Sequence, residues 1–163
     1  MNYLEFIQKV PLNIPFTTYQ LSAFFPDNNL KSIRQSLFNW QKQNRIIKLR
    51  RNLYVIRTVL IDIKLIANKI YEPSYISLEY ALSFYNLIPD VSFQVTSVTT
   101  NKMSSFTNKL GKFFYQHLKK DFYFGFYYYE NVLMAEKEKA LLDYFYFNLK
   151  NIKMEKQYLK ELR

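Results

Sequence analysis

The sequence predicts an α+β fold made of two unlike parts, residues 1–58 and residues 59–163. Apolar residues recur at helical spacing in the first part, whereas runs rich in β-branched and aromatic residues predict strands in the second. Charge separates the parts as well, because residues 1–58 carry 9 Lys and Arg against 2 acids and residues 59–163 carry 14 against 11. With 49% hydrophobic residues, 2 Gly and 5 Pro, the chain has the composition of a folded protein without long linkers.

Three short helices are predicted before residue 45. The first covers residues 3–9, and two prolines then interrupt the chain because proline cannot donate a helical hydrogen bond. The stretch "TTYQ" places Thr17 as N-cap with Gln20 three positions later, a capping-box pattern that starts a second helix running to about Phe25. A tight turn follows, and the third helix is predicted from about Asn29 to Asn44.

The third helix has two chemically different faces. One is predicted to be buried and contains Leu30, Ile33, Leu37, Phe38 and Trp40. The opposite face is polar without being acidic, and its members are Asn28, Lys31, Ser32, Gln35, Asn39 and Lys42. Short amides and hydroxyls can read base edges and lysines can contact phosphates, so this is a candidate recognition face for DNA. Arg34 lies near the border of the apolar stripe and is better placed for a phosphate or an intramolecular contact.

The segment "IIKLRRNLYVIR", residues 46–57, predicts a β-hairpin whose two-residue turn is Arg51-Asn52. The turn requires positive φ, which Asn accepts more readily than most residues. Pairing outward from this turn places an apolar side against the helices, made of Ile47, Leu49, Tyr54 and Ile56. Lys48 and Arg50 then lie on the other side with Leu53 and Val55.

Three helices followed by a basic hairpin predict a winged helix-turn-helix, and no acid occurs between Asn28 and Ile61. Lys48, Arg50 and Arg51 of the hairpin are the expected contacts to phosphates or the adjacent minor groove. The alternative is a protein-interaction module in which the basic charge is incidental.

The second part predicts a small α+β domain with an antiparallel or mixed sheet. Helices are predicted over residues 60–71, after Ser77 as N-cap, and over residues 136–149, and the strands are "FQVTSVTT", "KFFYQHL" and "FYFGFYYY". The last helix is expected to turn Ala140, Leu141, Tyr144, Phe145 and Leu149 toward the core. The uncharged aromatic strand, Phe122 to Tyr129, must be covered, either as a central strand or by another chain.

No catalytic, metal or cofactor site is expected. The chain has no Cys and only one His, His117, which excludes thiolate sites and argues against a zinc site. No glycine-rich phosphate loop occurs, and Glu138 and Asp143 diverge on a helix. The N-terminus lacks a signal-peptide pattern, and no run approaches about 20 apolar residues, so a cytoplasmic protein without membrane spans is expected.

The order of four motifs resembles the AbiEi-type abortive-infection antitoxins, the transcriptional-regulator halves of type IV toxin–antitoxin systems. The motifs are "RRNLYVI", "PSYISLEYALSFYNLIP", "VTSVTT" and "EKALLD", and the resemblance covers roughly residues 5–149. Where the family usually has Gly in the hairpin turn this chain has Asn52, and where it usually has Ser and Gly in the second motif this chain has Tyr80 and Asn86.

The resemblance implies an autorepressor that binds an inverted-repeat operator in its own promoter. It also implies a C-terminal domain that counteracts a nucleotidyltransferase-like toxin in phage defence, with no enzymatic activity of its own. A symmetric homodimer is expected if the operator is an inverted repeat. A stand-alone winged-helix regulator without antitoxin activity remains the alternative.

Overall fold

The structure is a computed structural model that describes residues 1–58, 60–89 and 94–161, with side chains up to residue 149. It is a mixed α+β fold. The helices are α1 (Tyr3–Lys9), α2 (Thr18–Phe24), α3 (Leu30–Lys42), α4 (Ile63–Ile70), α5 (Leu78–Phe84) and α6 (Lys137–Glu161). The strands are β1 (Ile46–Arg50), β2 (Leu53–Ile56), β3 (Ser74–Ile76), β4 (Gln94–Thr99), β5 (Ser104–Asn108), β6 (Gly111–His117), β7 (Phe126–Tyr129) and β8 (Val132–Ala135). Phe93, expected in the strand that contains β4, lies outside the described residues.

The first three helices form where the sequence predicts them. The capping box at the start of α2 is confirmed: the Thr17 hydroxyl accepts from the Gln20 amide, and the Gln20 side chain accepts from the Thr17 amide. Together α1, α2 and α3 enclose a small core in which the Phe6 ring packs on Trp40 at 4.6 Å between centroids. Leu37 is buried in that core as expected, whereas Phe38 is half exposed and does not belong to the buried face.

The hairpin β1–β2 has the predicted turn but a different register. Asn52 has φ 61°, as the turn requires, and Arg50 pairs with Leu53. A bulge at Leu49 then shifts the pairing by one residue, so Lys48 rather than Leu49 lies opposite Tyr54. The prediction that one side of the hairpin consists of Ile47, Leu49, Tyr54 and Ile56 was therefore wrong.

Both faces of this hairpin are covered. Ile46 and Ile56 are buried in the core of the first three helices. The opposite face is buried in a second, larger core with the remainder of the chain, and it consists of Ile47, Leu49, Leu53 and Val55. The hairpin is a shared layer between the two cores.

The second core surrounds a six-stranded mixed sheet in the order β5-β6-β4-β3-β8-β7. The pairs β4–β6 and β3–β8 are parallel, and the other neighbours are antiparallel. The sheet places α4 on one face, where the Tyr115 hydroxyl donates to the Ala67 carbonyl at 2.6 Å. Tyr75 points to the other face and reaches α6. Because β7 is an edge strand, the central-strand prediction for the aromatic segment was wrong.

Helix α6 is rotated relative to the prediction. Ala140 is buried and Tyr144 is half-buried, as expected, but Leu141, Phe145 and Leu149 are exposed. The helix instead buries Lys139 and Asp143, at 6% and 1% exposure. Hydrogen bonds to the Tyr75 and Ser77 hydroxyls and to the Phe122 carbonyl fix this rotation.

Candidate nucleic-acid interface

Helix α3 is held by its buried side and presents its polar side to solvent. Asn29 caps its start by accepting from the Ser32 amide at 2.8 Å, and Ile33, Leu37 and Trp40 anchor it in the core. The predicted recognition residues on the helix are all exposed, and they are Lys31, Ser32, Gln35, Asn39 and Lys42. The structure therefore brings five of the nine predicted contact residues together on one helix face.

Two local contacts order this face. The Gln35 amide donates to the Asn39 side-chain oxygen at 3.3 Å, which aligns two amides one helical turn apart. The Lys42 ammonium lies over the Phe38 ring at 4.5 Å from its centroid, so the exposed ring holds a cation at the end of the helix.

Asn28 has a different role from the one predicted. It lies before α3 and is half-buried, and its side-chain oxygen accepts from the Met1 amino group at 2.9 Å. That oxygen is committed to an internal contact.

A polar cleft adjoins α3 on the side of the hairpin. It has a volume of about 350 Å³ and is lined by Thr18, Tyr19, Arg34, Lys48, Arg51, Asn52 and Tyr54. Three cationic side chains from three separate elements meet there, since Arg34 belongs to α3, Lys48 to β1 and Arg51 to the turn. No carboxylate is among the described residues that line it.

The three cations of the cleft are electrostatically unpaired. Within the described part of the chain, Arg34, Lys48 and Arg51 make no ion pair and no side-chain hydrogen bond. Three unpaired positive charges around one cleft give it a positive electrostatic potential. Sequence reasoning named Lys48 and Arg51 as contact residues and left Arg34 between a phosphate contact and an intramolecular contact.

Backbone and side-chain contacts fix the shape of the cleft. Phe16 and Tyr54 exchange two backbone hydrogen bonds, of 2.8 and 2.9 Å, which tie the chain before α2 to β2. At the turn, the Asn52 side-chain oxygen accepts from the Thr18 hydroxyl and, at 3.3 Å, from the Thr18 amide. Asn52 thus joins the hairpin tip to the start of α2.

Arg50 is directed away from the cleft. Its Nε donates at 2.6 Å to the carbonyl of Ile70, the last residue of α4. Arg50 is the last residue of β1 and contacts α4, whereas Arg51 belongs to the turn and lines the cleft.

The hydrogen bonds between Asn52 and Thr18 lead to a prediction for the stability of two variants. Asn52→Gly keeps the positive φ but removes the acceptor for Thr18, so we expect a loss of about 0.5–1.5 kcal/mol in the free energy of unfolding. Asn52→Ala should lose about 1 kcal/mol more, because a Cβ is strained at that φ. Urea unfolding of the three proteins measures the order, and an alanine variant as stable as the glycine variant would contradict it.

A second polar cluster is buried beneath the sheet and joins two of the sequence motifs. The Asp143 carboxylate accepts from the hydroxyls of Tyr75 and Ser77, both at 2.8 Å, and from the Lys139 ammonium at 2.6 Å. Lys139 also donates to the Phe122 carbonyl at 2.9 Å. Burial, followed by the charge of Asp143, raises the pKa of Tyr75 well above its usual range, so the hydroxyl remains a donor.

This cluster is structural in form. Ser77 and Asp143 are at 0% and 1% exposure, so a substrate has no access to them. Ser77 occupies the predicted N-cap position of α5, but its hydroxyl binds Asp143 instead of capping the helix. His117 is exposed at the end of β6, with Nδ1 2.8 Å from the Asn101 carbonyl oxygen.

Among residues 1–58, 60–89 and 94–161, no group of His, Asp and Glu is arranged to hold a metal ion. None of the helices in those ranges is long and apolar enough to cross a bilayer. No protein-family model and no curated protein matches the sequence.

Proposed function

We propose that this protein is a transcriptional regulator that binds double-stranded DNA through α3 and the adjacent cationic cleft. One observation carries the proposal: three unpaired cations from separate elements meet beside a solvent-exposed helix face that holds amides, a hydroxyl and lysines. Phosphate contacts position a protein on DNA, and amides can hydrogen-bond base edges in the major groove. The site contains both kinds of group.

The arrangement of the elements supports a winged helix-turn-helix. Helices α2 and α3 are joined by a short turn, and the hairpin β1–β2 follows α3 directly. In such a domain the second of the two helices enters the major groove. Lys31, Gln35 and Lys42 then face the groove, while Arg34, Lys48 and Arg51 contact the phosphates beside it.

The biological role that we propose is that of an AbiEi-type antitoxin and autorepressor in an abortive-infection system. Its support is the order of sequence motifs, of which "PSYISLEYALSFYNLIP" and "EKALLD" meet through Tyr75, Ser77 and Asp143. The first part would bind an inverted-repeat operator, and the second part would counteract a nucleotidyltransferase-like toxin. We assign no catalytic role to the chain.

The proposal is tested with the DNA upstream of the protein's own reading frame. We expect the protein to shift this fragment in preference to a shuffled fragment of equal length and composition. Gln35→Ala should weaken binding to the upstream fragment by about 1–3 kcal/mol and leave binding to the shuffled fragment almost unchanged, because base contacts distinguish sequences.

A matched control is available on α1, where Gln8 is also an exposed glutamine. Gln8→Ala should leave both affinities unchanged. Equal affinity of the wild-type protein for the two fragments would contradict sequence-specific binding. Equal losses for Gln35→Ala on both fragments would remove Gln35 from the base contacts.

A protein-interaction module is the second candidate, and the exposed apolar side chains of α6 favour it. Leu142, Phe145 and Leu149 are all more than half exposed. Co-expression with the neighbouring gene product distinguishes the two roles. Rescue of growth by the full chain carrying Arg34→Ala and Arg51→Ala would show toxin neutralisation without DNA binding.

A further inference from the structure

The proposed DNA binding leaves an exposed apolar face of α6 without a role. Leu142, Phe145 and Leu149 lie along one side of the helix and are 62%, 52% and 57% exposed. We call these three residues the α6 stripe. Large apolar side chains grouped in this way are typical of an interaction surface, whereas scattered single ones are not.

The buried cluster is the reason that the α6 stripe faces outward. Lys139 and Asp143 lie one helical turn apart and point inward to Phe122, Tyr75 and Ser77. At 100° per residue, Phe145 lies about 120° and about 160° around the helix from Lys139 and Asp143, and Leu142 and Leu149 lie between Phe145 and Lys139. The five polar groups of the buried cluster therefore set the rotation of α6 that leaves the stripe exposed.

The stripe is nearly symmetric about its middle residue. Leu142 precedes Phe145 by three residues and Leu149 follows it by four, and such alternating spacing is the seam of paired helices. If two copies of α6 run antiparallel and cross at Phe145, Leu142 of each copy meets Leu149 of the other. The two phenylalanines then meet at the two-fold axis.

Charge along α6 selects the antiparallel direction. At the start of the helix, the exposed residues Glu136, Lys137 and Glu138 together carry one net negative charge. After Leu149 the sequence carries four lysines, at 150, 153, 156 and 160, against two glutamates. An antiparallel second copy sets the acidic start of one helix beside the lysine-rich half of the other, whereas a parallel copy sets like charges together.

We propose that the α6 stripe is the interface of a two-fold symmetric homodimer with antiparallel α6 helices. The occupant of the surface is a second copy of this chain, because the stripe and the charges that flank it complement themselves under a two-fold rotation. The dimer does not depend on the proposed function. It would present two copies of the cationic cleft.

The absence of cysteine from the sequence allows a direct test by disulfide formation. Phe145→Cys should form a covalent dimer on mild oxidation, because the two residues adjoin the axis. Leu149→Cys should not, since the two sulfurs would be offset by about 12 Å, eight residues of helical rise. Leu142→Cys with Leu149→Cys should form covalent dimers again.

The outcomes separate the arrangements. Disulfides in both single variants would indicate parallel helices and overturn the proposal, and so would no disulfide in any variant. Sedimentation gives a second measure: the wild-type chain should be a dimer at micromolar concentration and Phe145→Glu a monomer. Met103→Glu is the matched control, because Met103 is 62% exposed and lies before β5. A monomeric wild-type chain would overturn the proposal whatever its affinity for DNA.

Discussion

Replacing Asp143 with asparagine should lower the free energy of unfolding by about 3–5 kcal/mol, the largest effect that we expect from a single change. The substitution keeps the size of the side chain and removes its charge. Lys139, only 6% exposed, then remains with a buried ammonium and no counter-ion. The loss is measured by urea unfolding, and circular dichroism shows whether the variant is folded at the start.

A double-mutant cycle shows whether the pairing of charges causes this loss. Lys139→Met combined with Asp143→Asn removes both charges and leaves an acceptor for Tyr75 and Ser77. We expect the double variant to regain more than half of the stability, because no buried charge is then left unpaired.

The surface pair Glu5–Lys9 serves as the control. Its side chains are 44% and 47% exposed, so Glu5→Ala should cost less than about 1 kcal/mol. If Asp143→Asn costs no more than Glu5→Ala, then the buried cluster does not hold α6 in place, and the outward orientation of the α6 stripe loses its explanation.

The same buried pair marks the limit of what the sequence of α6 could predict. Periodicity assigns charged residues to the outside, and this rule placed Leu141, Phe145 and Leu149 in the core. Lys139 and Asp143 are buried instead, because their charges are satisfied by polar groups on the sheet side of α6. These groups are the Tyr75 and Ser77 hydroxyls and the Phe122 carbonyl. Those partners are 17 to 68 residues away in the chain, so helical periodicity alone contains no sign of them.

The first part shows which signals are local enough to predict. The capping box at Thr17 and the positive φ of Asn52 depend on adjacent residues, and both occur as expected. The bulge at Leu49 has no such local signal, and the second core covers residues that the sequence had divided between the two sides of the hairpin, namely Ile47, Leu49, Leu53 and Val55. The predicted contacts Lys48 and Arg51 therefore meet in the cleft, but Arg50 does not.

The cleft leads to the largest expected effect on binding. The variant with Arg34→Ala, Lys48→Ala and Arg51→Ala should show a weaker salt dependence of DNA affinity, with the logarithmic slope reduced by up to about 2.7, since each lost phosphate contact removes about 0.9. The factor by which this variant binds DNA more weakly than the wild-type protein should decrease about forty-fold between 50 and 200 mM salt. Salt-titrated fluorescence anisotropy with the upstream fragment measures both quantities.

A control variant with the same net charge distinguishes phosphate binding in the cleft from long-range attraction by the overall basic charge. Lys102, Lys119 and Lys120 are exposed in the second part, and their combined replacement by alanine removes the same three charges. Long-range attraction alone would affect both triple variants similarly. If phosphates bind in the cleft, only the cleft variant should show a large change of slope. Equal slopes in the two triple variants would refute binding in the cleft.

Single alanine variants of Arg50 and Arg51 compare two adjacent residues of the same type for their effect on the salt dependence of DNA binding. Arg51→Ala should lower the slope by about 1, whereas Arg50→Ala should leave it unchanged and reduce stability instead. The reason is that the Arg50 guanidinium holds the Ile70 carbonyl at 2.6 Å, while Arg51 lines the cleft without a partner among the described residues. If Arg50→Ala lowered the slope and Arg51→Ala did not, Arg50 and not Arg51 would contact the phosphates, and this assignment of the two arginines would be overturned.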